Sequence, residues 1–96
     1  MSQPIINHYV GGVEFAGESD RLGDVFDPAL GVATKSVRLA TTGDLDAAVQ
    51  VAKTAFSSWS AVSMTKRVQI VFKFRELLEA KKGELAAIIT AEHGKV

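Results

Sequence analysis

Two histidines, His8 and His93, are the side chains best suited to metal binding or to proton transfer near neutral pH. A metal site needs three or four histidine, cysteine or carboxylate ligands at a recognisable spacing. The two histidines stand far apart in the sequence, and neither belongs to such a set. We therefore predict structural roles for both, with His8 on a strand and His93 in the last turn of a helix, where a cation is favourable.

Two pairs of carboxylates could in principle act as general acid and base. Asp44 and Asp46 are two residues apart on a predicted helix, so they point in different directions and are typical of a first helical turn. Glu76 and Glu79 share a helix face. Cations three or four residues away pair with them, in the combinations Lys73 with Glu76, Arg75 with Glu79 and Lys82 with Glu79. This pattern indicates a solvated, ion-paired helix surface.

The sequence contains no activated nucleophile and no phosphate-binding loop. The candidate hydroxyls lack the Gly-x-Ser-x-Gly elbow of hydrolases; they are Ser57, Ser58, Ser60 and Ser63. Cysteine is absent, which excludes a thiolate nucleophile, a thiolate metal site and disulfide bonds from these residues. Gly11-Gly12 and Gly94-Lys95 match neither a P-loop nor a dinucleotide fingerprint. We therefore predict no catalytic, cofactor-binding or metal-binding residue in this chain.

The charge pattern argues against nucleic acid as a partner. Residues 1–62 carry four Lys/Arg and seven Asp/Glu, residues 63–96 carry seven and four, and the formal net charge is zero. A nucleic-acid surface would need clustered basic residues and a clearly basic domain. No apolar run approaches the ~20 residues of a membrane-spanning helix, and the N-terminal residues lack the pattern of a signal peptide. We expect a cytoplasmic protein that binds neither nucleic acid nor a membrane.

The first part of the chain reads as a short β region. Its extended pieces are INHYV and VEF within Ile5–Phe15, then Asp24–Asp27 and Val32–Ala40. Gly11-Gly12 is a hairpin turn signal, and Asp27-Pro28-Ala29-Leu30-Gly31 has a turn former at its first, second and last positions. A polar loop, Ala16–Gly23, separates the two regions. Residues 5–40 are therefore predicted to form short antiparallel β-hairpins.

Two or three helices follow, over about residues 42–59, 64–82 and 84–93. Thr41 or Thr42 can cap the first helix, and Ser63 or Thr65 can begin the second. We expect a break near Lys82-Gly83, because glycine is unfavourable inside a helix, and Gly94 as the left-handed cap. The first helix carries an apolar stripe of Leu45, Ala48, Val49, Ala52, Ala55, Phe56 and Trp59.

The helices carry more apolar surface than so short a chain needs. On the second helix, Val68 and Phe72 extend the apolar face well beyond a narrow stripe. We therefore expect residues 1–96 to be an incomplete part of a domain in a longer polypeptide. The alternative is a free-standing α+β interaction or dimerisation module that presents its apolar face to a partner and has no enzymatic activity.

Several motifs occur together in the order found in one enzyme family. They are the Asp27-Pro28-x-x-Gly31 turn, the helix bearing Ala48, Ala52, Ala55, Phe56 and Trp59, a longer helix that begins near Arg67, and the closing Glu92-x-Gly94-Lys95. In this combination the chain resembles the N-terminal part of the NAD-dependent aldehyde dehydrogenases, which have an α/β fold. The resemblance implies that residues 1–96 are an incomplete, N-terminal part of the nucleotide-binding domain. Asn7–Gly12 and Glu92–Lys95 are most similar to the CoA-acylating methylmalonate-semialdehyde dehydrogenases.

The resemblance implies an activity for the parent enzyme. A cysteine thiolate attacks the semialdehyde, hydride passes to NAD, and coenzyme A releases the acyl group as a thioester. The resemblance places the reacting groups beyond Val96, so no site residue is carried over to these positions. NAD and coenzyme A are then cofactors of the parent enzyme and are not expected to bind this fragment. The expected partners are the remainder of the dehydrogenase chain and further copies in a homo-oligomer.

Overall fold

The computed structural model describes residues 3–96, in which a β region precedes three helices. The strands are β1 (Ile5–Ile6), β2 (His8–Val10), β3 (Val13–Phe15), β4 (Leu22–Asp27) and β5 (Val32–Arg38). The helices are α1 (Thr42–Trp59), α2 (Met64–Ala80) and α3 (Lys82–His93). The predicted order of strands and helices is confirmed.

One strand pairing differs from the predicted set of antiparallel hairpins. The chain leaves the strand conformation at Asn7, so the first extended piece divides into β1 and β2. β2 and β3 form the predicted hairpin, and β5 pairs antiparallel with β4. β1 instead pairs parallel with β5, which gives a three-stranded sheet of order β1-β5-β4. The Asn7 side chain helps to hold this break, since its Oδ1 accepts a hydrogen bond of 2.9 Å from Arg38 Nε.

The predicted Asp27–Gly31 turn is confirmed. The Asp27 carbonyl accepts hydrogen bonds from the backbone N–H groups of Leu30 and Gly31, at 3.1 and 2.8 Å. The Asp27 carboxylate also accepts the Ala29 N–H at 3.0 Å, as an aspartate at the first position of a turn commonly does. β4 begins at Leu22, two residues earlier than the sequence indicated, because β5 pairs with it as far as Arg38.

Hydroxyl side chains cap the N-termini of α1 and α2, as the sequence predicted. The Thr41 hydroxyl accepts the Asp44 N–H at 3.0 Å, and the Ser63 hydroxyl accepts the Lys66 N–H at 3.3 Å. The break between α2 and α3 lies at Lys81, with φ −105° and ψ 13°, and not at Lys82-Gly83. Gly83 instead lies in the first turn of α3, where N–H groups have no acceptor within the helix and a glycine is more easily tolerated.

The described residues do not enclose a hydrophobic core. No apolar side chain within residues 3–96 is fully buried. The radius of gyration is 17.1 Å, whereas a compact domain of this length has a radius of about 12.5 Å. The accessible surface is 7767 Å², whereas a compact protein of this mass exposes about 5,300 Å². The chain thus has an open form, in which the apolar side chains of residues 3–96 stay largely exposed.

Candidate functional site

The two histidines lie in separate elements. His8 is half-buried on β2, and its ring centroid is 6.0 Å from that of Phe15, with the two planes tilted by 43°. His8 Nε2 is buried and has no hydrogen-bond partner among residues 3–96. His93 is exposed in the last turn of α3, where the sequence predicted it. No group of three or more potential metal ligands occurs in the described part of the chain.

The α2 carboxylates are exposed, and two of their three predicted ion pairs form. Lys73 Nζ lies 3.5 Å from Glu76 Oε1, and Lys82 Nζ lies 3.9 Å from Glu79 Oε1. The predicted Arg75–Glu79 pair does not form, because Glu79 faces Lys82 instead. Exposed pairs of this kind contribute little to stability because water and salt screen them.

Three of the four candidate serine hydroxyls, those of Ser58, Ser60 and Ser63, bond to nearby backbone. Ser58 Oγ donates to the Ala55 carbonyl at 3.2 Å, and Ser60 Oγ donates to the Ser57 carbonyl at 3.4 Å. Ser63 Oγ is the cap of α2. A nucleophilic serine would instead need a base within hydrogen-bond reach. These contacts assign the serines to helix ends.

Asp44 is the one buried carboxylate among residues 3–96. Its residue is only 4% exposed, whereas Asp46 is exposed. Its side chain accepts the Thr41 N–H at 2.9 Å, which completes a capping box with the Thr41 hydroxyl. It also accepts the Glu18 N–H, at 3.1 Å from Oδ1. Asp44 therefore ties the loop between β3 and β4 to the start of α1, a role that the sequence analysis missed.

These hydrogen bonds favour the ionised form of Asp44. The Thr41 backbone N–H is the largest cause, and it holds the pKa of the Asp44 carboxyl below its ordinary value of 3.8. Burial works in the opposite direction by penalising the charge, while the Thr41 side chain, the Glu18 N–H and His8 lower the pKa further. The first two residues of this network are visible in sequence as Thr-x-x-Asp, but Glu18 is 26 positions away from Asp44.

We predict a pH-dependent contribution from Asp44 to stability. A pKa that is lower in the folded than in the unfolded state stabilises the fold above the unfolded value, and this stabilisation is lost as pH falls through the folded value. In the full-length protein, the melting temperature of the wild type should therefore exceed that of Asp44→Asn at neutral pH. The difference between the two melting temperatures should shrink below about pH 3.8. Asp46→Asn is the matched control. An Asp44→Asn difference that stays constant down to full protonation would contradict the prediction.

The N-terminus of α1 does not fit a phosphate group. Helix N-termini bind anions through free N–H groups and a favourable dipole. At α1 the Asp44 carboxylate already takes that position, and a second anion there would be repelled. The start of α2 has an uncharged cap, in which the Ser63 hydroxyl accepts the Lys66 N–H. The start of α1 therefore lacks the anion cradle that a dinucleotide or coenzyme A needs.

An exposed apolar surface extends over α2 and α3. On α2 it covers a wide face formed by Val68, Ile70, Val71, Phe74, Leu77 and Leu78, which we call the broad face. Phe74 is 60% exposed. At the join with α3, a depression of about 360 Å³ is lined by Phe74, Leu77, Leu78, Lys81 and Leu85. Surfaces of this size mark places where other protein packs.

No helix within residues 3–96 combines the length and the apolar character required to cross a bilayer. The main feature of the described residues is an exposed apolar surface against which other groups can pack.

Comparison with known proteins identifies relatives of this chain. A profile of the aldehyde dehydrogenase family matches residues 15–96. The chain is 39% identical over 90 residues to malonate-semialdehyde dehydrogenase 2 of Oceanobacillus iheyensis, covering 94% of this chain and 18% of that protein. It is 41% identical over 91 residues to malonate-semialdehyde dehydrogenase 2 of Bacillus thuringiensis, covering 95% of this chain and 19% of that protein.

A solved structure gives the same relationship. It is the crystal structure, complexed with NAD, of a Sinorhizobium meliloti protein assigned as a methylmalonate-semialdehyde dehydrogenase. The TM-score is 0.92 at 36% sequence identity, over 96% of this chain and 19% of that one. The fold predicted from the resemblance is confirmed. The chain spans about a fifth of the length of these relatives.

Proposed function

Because the chain belongs to the aldehyde dehydrogenase family, we propose that it is the N-terminal scaffold segment of an NAD-dependent, CoA-acylating dehydrogenase of malonate or methylmalonate semialdehyde. The observation that carries the proposal is the exposed apolar layer. The fold of the chain matches about a fifth of a full dehydrogenase. Residues 3–96 enclose no hydrophobic core of their own. A segment of this kind contributes to the folding of the full enzyme and to the positioning of the rest of its chain. The cytoplasmic location predicted from the sequence remains part of the proposal.

The remainder of the dehydrogenase chain is the proposed partner of the broad face. The chain exposes roughly 2,400 Å² more surface than a compact protein of its mass, which is the area of a permanent interface. Covering that surface would give Phe74, Leu77 and Leu78 the buried environment that they lack in the chain by itself. Burial of such side chains contributes roughly 1.5–3 kcal/mol each.

The nucleophile and the cofactor-binding groups of the enzyme lie outside this segment. The 96 residues contain no cysteine, and the Asp44 carboxylate at the start of α1 would repel a phosphate. We therefore assign the binding of NAD and coenzyme A, and the nucleophile, to the remainder of the chain. The segment alone is proposed to be catalytically incompetent.

The test compares the full-length polypeptide with residues 1–96 alone. With malonate semialdehyde or methylmalonate semialdehyde, NAD and coenzyme A, the full-length protein is expected to form NADH and an acyl-CoA, and the segment to form neither. NADH formation that yields a free acid and ignores coenzyme A would keep the family and overturn the CoA-acylating assignment. Absence of any NADH formation by a folded full-length protein would overturn the proposal.

The interaction module is the second candidate, and the same exposed apolar surface favours it. An interaction module would have to bury that surface within residues 1–96 or against a second copy of the chain. Thermal unfolding of the isolated segment separates the two candidates. A cooperative transition would favour the module, whereas gradual melting would favour the scaffold.

A further inference from the structure

The strand β4 lies at an open edge of the three-stranded sheet. The order of the sheet is β1-β5-β4, so within residues 3–96 β4 pairs with β5 on one side and with no strand on the other. α3 lies on a face of this sheet, where Lys35, which stands opposite Val25, forms a 2.8 Å ion pair with Glu92. An open edge presents unpaired N–H and C=O groups, to which another strand can be added.

The register of β4 with β5 identifies the backbone groups that face the open side. Arg21 and Leu39 form a hydrogen-bonded pair, since the Leu39 N–H donates to the Arg21 carbonyl at 3.0 Å. Hydrogen-bonded and non-hydrogen-bonded pairs alternate along an antiparallel ladder. Leu22 and Asp24 are therefore in non-hydrogen-bonded pairs with β5. Their backbone N–H and C=O groups point outward, away from β5.

The other side of β5 is already paired, unlike the outer side of β4. Ser36, the partner of Asp24, donates its N–H away from β4 to the Pro4 carbonyl at 2.9 Å, which agrees with the alternation. The Gln3 side chain donates to the Ala33 carbonyl at 2.7 Å. Within residues 3–96 the outward backbone groups of β4 have no comparable partner.

Exposed apolar side chains accompany these backbone groups. Leu22 is 44% and Phe26 is 53% exposed, and they lie on the face of β4 opposite to Val25. A neighbouring strand would cover such side chains through cross-strand contacts. α3 ends close by, because a Cβ atom at Gly94 would lie 3.5 Å from Cβ of Pro28, in the turn after β4. Polypeptide that follows α3 in the full-length dehydrogenase would therefore start beside this edge.

We propose that the outer edge of β4 binds a further β-strand from the remainder of the dehydrogenase chain, hydrogen-bonded to the backbones of Leu22 and Asp24 and packed against the side chains of Leu22 and Phe26. The inference rests on the proposed function, since it requires a polypeptide longer than residues 1–96. The chain spans 19% of the Sinorhizobium meliloti protein that it matches, so a full-length dehydrogenase has polypeptide to supply the strand. This contact is separate from the broad face and is made largely by backbone groups.

The first test is residue-resolved hydrogen exchange in the full-length protein. A paired strand protects the N–H groups of Leu22 and Asp24, so we expect both to exchange at least about a hundredfold more slowly than unstructured peptide. The Val25 N–H, which faces β5, is the internal reference. Exchange of Leu22 and Asp24 at the rate of unstructured peptide would overturn the proposal. So would protection that is lost when the protein is diluted into monomers, because the strand would then belong to a second copy.

A proline substitution tests the same backbone bond by removing it. Proline has no N–H group and is tolerated on an edge strand where that group would face solvent. Asp24→Ala is the matched control, because it shortens the side chain and keeps the N–H. In the full-length protein we expect Asp24→Pro to unfold at least about tenfold faster than Asp24→Ala. Equal unfolding rates would overturn the proposal.

Dehydrogenase turnover of the wild type separates this inference from the proposed function. Normal turnover with unprotected Leu22 and Asp24 would overturn this inference alone. Protected Leu22 and Asp24 in a folded full-length protein that forms no NADH would overturn the proposed function alone.

Discussion

Phe74→Ala is expected to lower the free energy of unfolding of the full-length dehydrogenase by about 3–5 kcal/mol, as truncation of a buried aromatic side chain does. Phe74 is exposed in the chain described here, so the loss arises only if the remainder of the enzyme covers the broad face. The measurement is denaturant unfolding of the full-length protein. Trp59→Ala on α1 is expected to have an effect of the same size.

The turnover of the Phe74→Ala enzyme that remains folded should equal that of the wild type, because the substituted side chain belongs to the scaffold. Phe72→Ala is the matched control: it is the same change on the same helix at equal exposure, about 160° around α2 from Phe74. We expect it to lower the free energy of unfolding much less, because Phe72 lies among the charged side chains of Arg75, Glu76 and Glu79. A Phe74→Ala enzyme that kept its melting temperature and lost turnover would contradict the scaffold role.

Gly17→Ala is expected to destabilise the protein by roughly 2–4 kcal/mol, through backbone strain and a steric clash together. Gly17 has a φ of +77°, a left-handed conformation that side chains other than glycine rarely adopt. A Cβ atom there would lie 2.6 Å from Asp44 Oδ2. The Asp44 carboxylate would have to move, and its hydrogen bonds with Thr41 and Glu18 would be disturbed. Denaturant unfolding measures the loss.

Gly12→Ala separates the two causes of that loss. Gly12 has a φ of +80°, but a Cβ atom there would meet nothing within 4 Å. It should therefore show the strain alone, about 1–2 kcal/mol. Adding Asp44→Ser, which shortens the side chain that the new Cβ atom would meet, should recover part of the Gly17→Ala loss. Equal losses for Gly17→Ala and Gly12→Ala would show that the contact with Asp44 contributes nothing.

The sequence was sufficient to predict the order of elements and most of their ends. Thr41 and Ser63 cap helices, and the Asp27–Gly31 turn closes, through hydrogen bonds that span at most four residues. Gly94 ends α3 with a φ of +78° and donates its N–H to the Thr90 carbonyl at 2.8 Å. The family resemblance depended on the same local motifs, taken in order along the chain. Neighbouring residues determine such features, whatever else the fold contains.

Only the tertiary structure decided which distant groups meet. The parallel pairing of β1 with β5 joins residues 31 positions apart, and the Asp44 contact with Glu18 joins residues 26 positions apart. Helical periodicity placed Phe74 on the apolar face of α2, but the charged side chains around Phe72 could be recognised only from side-chain positions. The physical reason is that caps and turns follow from short-range geometry, whereas pairings between distant segments depend on how the whole chain closes its loops.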